Sequence, residues 1–336
     1  MGIRYLNSFL RANCSNAIKC IQMSDLSGKK IAIDISIFMY KFETEGSLIE
    51  NMYLMLSIFK HYNIIPIFIF DGHPPTEKKE LLMKRREDKV KAEQEYRILK
   101  NMLSAASSAV MDDTEKQELI SSMDVLKKKF VYIKREHIAK VKTLIRAFGA
   151  TYYDAPGEAD ELCAMLVMKE KVWACLSEDM DMFVYGCSRV LRYFSLMNHT
   201  AVLYNLDEML VELGITLKEF KEICVLSGTD YNQDLSKDLS KDLPKDQSRL
   251  VITLKLFKKY HKSNNPNSLE FYSWLLKHQA NYITNYDELR NTYLMFELSE
   301  RSDNLKVFEN ISIMNGPVVK EMMRPILEED GFIFPI

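Results

Sequence analysis

The sequence predicts an α/β fold in which a mostly parallel central sheet is flanked by helices. Short apolar runs of strand length alternate with longer segments of helical pattern through residue 206. Several of these runs end in an acidic residue, where a parallel sheet would present its ligand-binding edge. The chain has 336 residues, which is long enough to bury a large core in one domain and carry an appended region.

The predicted strands and helices follow one another in a regular order. The strands cover residues 31–33, 64–70, 151–153, 171–176, 190–194 and 201–206. The helices between them cover residues 47–61, 138–148 and 158–169. Strands joined through helices are typical of a parallel sheet with helices on both faces.

A long insertion without a strand signal separates Asp71 from Val131. It contains a charged helix over residues 77–103, a small-residue link over 104–113 and a second helix over 115–129. Two helices that rise from the ligand-binding end of a sheet can form an arch over it. A helical hairpin that covers an exposed sheet edge is equally consistent with the pattern.

Residues 234–336 are predicted to be a helical region that begins with a four-residue repeat. Residues 234–249 form the repeat DLSK, DLSK, DLPK, DQSR, which contains no glycine. Pro244 interrupts any helix there, so we interpret the repeat as a solvated linker or a short helix. Further helices are predicted over residues 254–260, 269–277, 286–300 and 317–328.

Seven carboxylates stand at strand ends, at helix starts or in the loops that follow them. They are Asp34, Asp71, Glu158, Asp160, Asp179, Asp181 and Asp230. Any one of these acids alone is typical of a helix cap or a turn. Acids buried together repel one another and cost stability unless cations lie between them. Carboxylate oxygens suit Mg²⁺ or Mn²⁺, so the set predicts a site for two Mg²⁺ ions that Mn²⁺ can replace.

Composition limits how the chain could bind nucleic acid. The net charge is −2 and the pI about 6.4, which excludes a generally basic nucleic-acid binder. DNA affinity would rest on local basic faces at residues 78–100, at 127–129 with Lys134 and Arg135, and at 255–262. The cysteines and histidines lack zinc-ligand spacing, and no signal peptide or membrane-length apolar run occurs. We therefore expect an intracellular protein with reduced thiols, in the nucleus or the cytoplasm.

Six segments resemble the signature blocks of the flap endonuclease family, which includes the xeroderma pigmentosum G-type nucleases. They are MGIRYLNSFL, AIDISIFMY, FIFDGHPPTEKKELLMKRRE, YYDAPGEADELCAML, SEDMDMFVYG and LSGTDYN. They occur in the family's order over about the first 233 residues. The resemblance implies a PIN-like 5′ nuclease fold. It divides the chain into a nuclease domain over residues 1–233, with an arch insertion at about 74–135, and a helical C-terminal region over 234–336.

The resemblance also implies roles for individual residues. All seven acids would coordinate metal, with Asp160 at a position where many relatives have Glu. Lys78 and Arg85 match a basic pair set over the scissile phosphate, although alone they are typical of a solvated helix face. Tyr40 matches an aromatic on which a base stacks, although alone it is more typical of a core. Gly2 matches the first residue of the mature chain, whose amine lies near the site.

The chain departs from the family's pattern after Asp230. Family members continue with a Gly-Ile-Gly hairpin that holds a potassium ion and grips duplex phosphates, whereas this chain has the glycine-free repeat. The sequence therefore predicts a degenerate duplex-binding hairpin whose DNA affinity does not depend on K⁺. The family's clamp-binding peptide is also missing, because the chain ends in GFIFPI, and we expect a monomer.

Together, the residues and the resemblance predict a Mg²⁺-dependent, structure-specific 5′ endonuclease. It would hydrolyse phosphodiester bonds in branched or 5′-flap DNA during replication, repair or recombination. A 5′ exonuclease or a junction resolvase of the same superfamily is one alternative. A non-catalytic DNA-binding scaffold is the other, and the retention of all seven acids argues against it.

Overall fold

A seven-stranded sheet forms the centre of the molecule. The computed structural model describes residues 3–106, 113–232, 248–263, 269–279, 281–298 and 303–334. The strands are β1 Ile18–Gln22, β2 Lys30–Asp34, β3 Ile65–Phe70, β4 Thr151–Asp154, β5 Ala174–Leu176, β6 Arg189–Ser195 and β7 Thr200–Asn205. Their order is β1-β7-β6-β5-β2-β3-β4. The five strands from β6 to β4 run parallel, and β7 pairs antiparallel with both β6 and β1.

Helices account for most of the rest of the described chain. They are α1 Leu6–Asn13, α2 Ile35–Thr44, α3 Leu48–His61, α4 Lys79–Ala106, α5 Asp113–Lys127, α6 Arg135–Ala147, α7 Ala159–Met168, α8 Asp181–Tyr185, α9 Leu206–Leu213, α10 Leu217–Ser227, α11 Arg249–Ser263, α12 Phe271–His278, α13 Tyr286–Met295, α14 Asp303–Lys306 and α15 Lys320–Glu329. None of the helices in the described ranges is long and apolar enough to cross a membrane.

The sheet separates two hydrophobic clusters, as expected for strands that are buried on both faces. Ala32 and Ile67 point into the first cluster, which includes buried residues of α1, α7 and α10. Ile33 and Phe68 point into the second, which includes buried residues of α2, α3 and α6. Neighbouring residues of one strand thus serve opposite faces. The predicted α/β architecture, a mostly parallel sheet with helices on both faces, is confirmed.

The register of the parallel strands brings their carboxyl ends to one edge. Ile33 of β2 pairs with Phe68 of β3 on one side and with Leu176 of β5 on the other. Asp34, Asp71 and the loop after Leu176 therefore leave the sheet at the same end, beyond which ligands of such sheets bind.

Some predicted bounds are wrong for identifiable reasons. The strand expected over 171–176 is confined to Ala174–Leu176, because the backbone amides of Lys171 and Val172 donate to Leu166 O and close α7. The link expected over 104–113 begins too early, since α4 runs to Ala106. The helix expected over 286–300 stops at Met295, because Phe296 turns into the core against Tyr185 and Tyr231.

Six elements were not predicted at all, namely β1, α1, α2, α8, α9 and α14. The outer strand β1 exposes most of its side chains and has no apolar run. Helix α8 has only five residues, and α9 follows β7 without an intervening loop. Residues 233–247, which hold most of the DLSK-type repeat, lie outside the described residues, as do residues 107–112 of the predicted link.

The far edge of the sheet is covered by a segment from late in the chain. Residues 312–319, here called the edge segment, run beside β4. Asn315 forms a bridge with Ala150, and Gly316 N donates to Gly149 O at 2.8 Å. Helix α15 then packs on α6. The edge segment therefore covers β4, whereas α4 and α5 pack on each other.

Candidate active site

Each of the seven carboxylates predicted from the sequence, here called the acid cluster, interacts electrostatically with at least one other. Asp34 ends β2 and is buried. Burial raises the pKa of Asp34 well above its usual value, and the charges of Asp71 and Asp179 raise it further. Burial likewise raises the pKa of Asp160, with added repulsion from Glu158. The fold has therefore gathered acids from distant parts of the chain into one region.

Two loops bring Asp71 and the start of α7 together. Gly72 N donates to Gly157 O at 2.8 Å, so the loops run side by side. A Cβ atom at Gly72 would lie 2.0 Å from Ala155 O, which explains why this position is glycine. Asp71 Oδ1 accepts from Ala159 N at 2.9 Å and so caps the helix that carries Asp160.

The loop after β5 holds the next two acids in a chain of hydrogen bonds. Ser177 Oγ donates to Asp34 Oδ2 at 3.0 Å and accepts from Asp179 N at 3.1 Å. Asp179 Oδ1 in turn accepts from Asp181 N at 3.0 Å, at the start of α8. Ser177 is fully buried and was not predicted, although it directly precedes the EDMD motif.

Asp181 has the most unusual environment in the acid cluster. Its side chain is 1% exposed, and neither of its carboxylate oxygens has a hydrogen-bond partner. Burial raises its pKa well above the usual value, with further repulsion from Asp179 and Asp230. Buried carboxylate oxygens without partners are costly, and a divalent cation with a preference for oxygen ligands would satisfy them. The residues present therefore fit a Mg²⁺ or Mn²⁺ site.

The side chains of the acid cluster do not form a complete metal-coordination shell among the described residues. Among the described residues, no three acidic, histidine or cysteine side chains are arranged so as to hold a metal ion. Mutual repulsion opposes such an arrangement, and two basic side chains each pair with one acid of the cluster.

Those two basic side chains are Lys78 and Arg85. Lys78 Nζ lies 2.7 Å from Glu158 Oε1, and Arg85 Nη2 lies 2.8 Å from Asp230 Oδ2. Burial lowers the Lys78 pKa, but the charges of Asp160 and Glu158 more than offset this effect, so the net pKa is raised. Lys78 is only 6% exposed, so its interpretation as part of a solvated helix face is wrong.

Two tyrosines that were not predicted from the sequence pack beside Glu158 and Lys78. Tyr231 OH donates to Glu158 Oε2 at 2.6 Å and contacts Tyr185 OH at 2.9 Å. The Lys78 ammonium lies 4.6 Å from the centre of the Tyr231 ring. Tyr231 directly follows Asp230 in the segment LSGTDYN. This position next to a predicted metal ligand is the feature of the sequence that could have indicated its role.

The other residues predicted to bind DNA lie on the surface, except Gly2, which lies outside the described residues. Tyr40 lies on α2 with 44% of its surface exposed, so it is not a core aromatic. Lys134 and Arg135 lie exposed at the start of α6, where Lys134 pairs with Glu136 at 3.1 Å. Within the described part of the chain, neither forms an ion pair with the acid cluster. Gly2 lies outside the described residues.

Comparison with known protein families places these residues in matched regions. Residues 1–92 match the XPG N-terminal domain, and residues 149–230 match the XPG I-region. The two matches contain all seven acids of the cluster, together with Lys78 and Arg85.

Curated relatives match along the same part of the chain. Flap endonuclease 1 of Trypanosoma brucei gambiense is 32% identical over 253 residues, which is 69% of this chain and 61% of the relative. Flap endonuclease 1 of Glossina morsitans morsitans is 30% identical over 249 residues, with the same shares of each chain. The match thus spans about three-fifths of the relatives' length.

Solved structures agree in fold. The catalytic core of Rad2 in complex with DNA substrate aligns with a TM-score of 0.62 and 20% identity, covering 98% of this chain and 94% of that one. Human GEN1 in complex with Holliday junction DNA aligns with a TM-score of 0.59 and 16% identity, covering 98% and 73%. The two matched domains and the curated relatives show that this chain belongs to the flap endonuclease and XPG family.

Proposed function

We propose that the chain is a divalent-metal-dependent, structure-specific 5′ endonuclease that hydrolyses phosphodiester bonds in branched or 5′-flap DNA. The observation that carries the proposal is the acid cluster at the carboxyl edge of the sheet. It includes the unpartnered oxygens of buried Asp181, and Lys78 and Arg85 each form an ion pair with one of its acids. Curated relatives named flap endonuclease 1 support the reaction and the substrate.

All seven acids would hold the metal in this proposal. Asp34, Asp160 and Asp181 are buried, and their charged forms need a cation. Asp71 has a second oxygen that is not the one accepting from Ala159 N. When bound, two Mg²⁺ or Mn²⁺ ions would lower the pKa of the attacking water and offset charge on the phosphate oxygens.

Lys78 and Arg85 would stabilise the charge that develops on the scissile phosphate. Lys78 ends the 3₁₀ turn Thr76–Lys78 that leads into α4, Arg85 lies in the second turn of α4, and each pairs with one acid of the cluster. The acids around Lys78 keep its ammonium protonated, so it can donate to a phosphate oxygen. Preorganised cations of this kind act most strongly in sites that exclude water.

Branched DNA is proposed as the substrate, and the biological process as replication, repair or recombination. The Rad2 and GEN1 structures contain DNA, but at their level of identity they support only a shared fold. One fold can carry several activities, so the fold alone does not distinguish a flap from a junction as the substrate. A direct comparison of the two substrates makes this distinction.

The test is the cleavage of a 5′-labelled flap by the full chain with Mg²⁺, with Mn²⁺ and with EDTA. We expect a single endonucleolytic product near the base of the flap that requires the metal. A four-way junction and a duplex with a free 5′ end are assayed beside it. Faster cleavage of the junction, or mononucleotide release from the free end, would replace the proposed substrate. Binding to all three without cleavage of any would identify a scaffold.

A further inference from the structure

A cleft of about 810 Å³ opens at the amino edge of the sheet. Three neighbouring parallel strands contribute to it, since Lys30 begins β2, Trp173 directly precedes β5 and Arg189 begins β6. The backbone amide of Trp173 donates to Lys30 O at 2.8 Å, which joins two of these strand ends. We call the cleft around Lys29, Lys30, Lys171, Trp173 and Arg189 the amino-edge cleft.

The amino-edge cleft and the acid cluster lie at opposite ends of the same strands. Lys30 and Asp34 are the first and last residues of β2, which places them about 13 Å apart along an extended backbone. Among the described residues that line the cleft, none belongs to the acid cluster. A ligand in the cleft therefore leaves the acid cluster open to DNA.

The amino-edge cleft carries a local positive charge on a protein whose net charge is −2. Lys29, Lys30, Lys171 and Arg189 line it together with only two carboxylates. In the described ranges of the chain, none of these four basic side chains forms an ion pair. Their charge is thus available to an anionic ligand, and the guanidinium of Arg189 can bind a carboxylate through two hydrogen bonds.

Trp173 holds two of these cations close together. The Lys29 ammonium lies 4.6 Å from the centre of its ring, and the central guanidinium carbon of Arg189 lies 5.3 Å from it. Attraction between each cation and the half-buried ring offsets the repulsion between the two positive charges. Groups that are already in position before a ligand arrives lose less conformational freedom when it binds.

Apolar side chains beside these cations favour a peptide over a nucleic acid. Val167, Met168 and Val172 line the cleft, and Met168 is 48% exposed. An apolar side chain of a peptide can pack there, and tryptophan, methionine and arginine are enriched at protein–protein interfaces. The two carboxylates of the cleft, Glu170 and Asp207, interrupt its positive surface and would repel the continuous row of phosphates of a DNA strand.

We infer that the amino-edge cleft binds an acidic segment of another protein, with an apolar side chain of that segment against Trp173 and its carboxylates on Lys29 and Arg189. A protein bound in this way can stay attached while the acid cluster is occupied by DNA. The inference goes beyond the proposed function and does not depend on it, because it concerns the other edge of the sheet.

The test measures the binding of fluorescein-labelled peptides to the full chain by fluorescence anisotropy. The first peptide has aspartates and glutamates on both sides of a central phenylalanine and leucine, and the second has asparagines and glutamines in place of the acids. Wild-type protein should bind the first peptide and not the second, with an affinity that falls as the ionic strength rises.

Two sets of variants locate the peptide. Lys29→Gln combined with Arg189→Gln should weaken binding of the acidic peptide about 10-fold, because two cations are lost. Arg290→Gln combined with Lys320→Gln removes the same two kinds of charge from exposed positions elsewhere and is the matched control. Trp173→Ala should weaken binding about 10-fold or more, and Trp173→Phe, which keeps a ring, should weaken it less.

Three outcomes would overturn the inference. Wild-type protein that does not bind the acidic peptide would do so directly. Equal weakening by the two double variants would show only a general attraction between opposite charges. Displacement of the peptide by a blunt DNA duplex, with duplex affinity lost in the variant of Lys29 and Arg189, would assign the cleft to DNA instead. Cleavage of a 5′ flap by wild-type protein should be unchanged at a saturating concentration of the peptide.

Discussion

Asp181 combines nearly complete burial with a carboxylate that has no hydrogen-bond partner. Such a group destabilises the metal-free protein, because its charge is desolvated and repelled by Asp179 and Asp230. A residue kept at this cost is typical of a functional site, where stability is given up for activity.

Asp181→Asn should therefore separate activity from stability. We expect cleavage to fall by at least about 10²-fold, with flap affinity within a few fold of wild type. Without metal, the free energy of unfolding should rise by about 1–3 kcal/mol, because one buried charge is gone. Urea unfolding and single-turnover assays measure the two effects, with Asp124→Asn on exposed α5 as the control. A less stable variant, or an active one, would contradict the assignment.

Lys78 and Arg85 allow a similar separation of rate from binding. Each change to Ala should lower the single-turnover rate at saturating enzyme by about 10²-fold or more, because a cation that stabilises transition-state charge is lost. The adjacent exposed residues provide matched controls, and Lys79→Ala and Arg86→Ala should stay within a few fold of wild type. A loss of affinity with an unchanged rate would mean that the pair only binds phosphate.

The sequence predicted the acids but not the side chains that hold them. Asp34 and Asp71 could be found because each follows an apolar run of strand length. Ser177 and Tyr231 could not, since a serine or tyrosine in a loop has many possible partners. The hydrogen-bond partner of such a side chain depends on how separate loops pack together. The close approach of Gly72 to Ala155 is one such contact.

At the scale of elements, the edge segment meets the turn before β4 through two glycines. Gly149 has a φ of 72°, and a Cβ atom there would lie 2.4 Å from backbone atoms of Gly316. Gly28 has nearly the same φ, 74°, but open space around the position of a Cβ. The two sites therefore share the conformational cost of a side chain and differ only in the collision.

Gly149→Ala should accordingly be more damaging than Gly28→Ala. We expect Gly28→Ala to lose about 1 kcal/mol of unfolding free energy and Gly149→Ala to lose a further 1–3 kcal/mol or so, because the edge segment must move. Denaturant midpoints of the two variants, compared with wild type, measure the difference. Equal losses would show that the close contact between Gly149 and Gly316 does not stabilise the fold.

Several elements with a regular apolar pattern were predicted closely, whereas a strand that depends on distant pairing was not. Helix α3 and strands β2 and β3 agree with their predicted bounds to within one residue, since each carries a regular set of buried apolar residues. Strand β1 depends on pairing with β7, which lies far along the chain. Pairing of this kind leaves little trace in the local sequence.

At the scale of the whole molecule, helices from late in the chain complete the core that begins near its start. Leu10 and Phe271 belong to the same hydrophobic cluster, and Leu327 belongs to the one on the other face of the sheet. The predicted domain boundary at residue 233 stays a prediction. Both hydrophobic clusters contain residues from either side of it.

Glu222 makes the stability of this shared core depend on pH. It lies on α10 and is 5% exposed. Burial raises its pKa from 4.5 to about 7, with Lys218 opposing the rise and Glu270 adding to it. The folded protein thus holds a proton that the unfolded chain releases near pH 4.5. Its contribution to stability is full below that pH and is lost as the pH rises through 7.

Glu222→Gln should remove this dependence. We expect the variant and the wild type to be equally stable near pH 4, and the variant to be more stable by about 2–3 kcal/mol at pH 8. Chemical unfolding at a series of pH values measures the difference between the two proteins. Glu87→Gln, at an exposed position on α4, should show no such trend. A constant difference across the pH range would rule out titration of Glu222.

The edge segment has a consequence for the synthesis of the protein. Residues 312–319 leave the ribosome long after β4 has been made, yet they lie along its outer edge, where the hydroxyl groups of Thr151 and Tyr153 bond to their backbone. Until they arrive, the sheet of the nascent chain offers unpaired amide and carbonyl groups to any extended polypeptide nearby. Translation that stops before residue 312 therefore releases a product with an open β4 edge, which is prone to join other chains into aggregates.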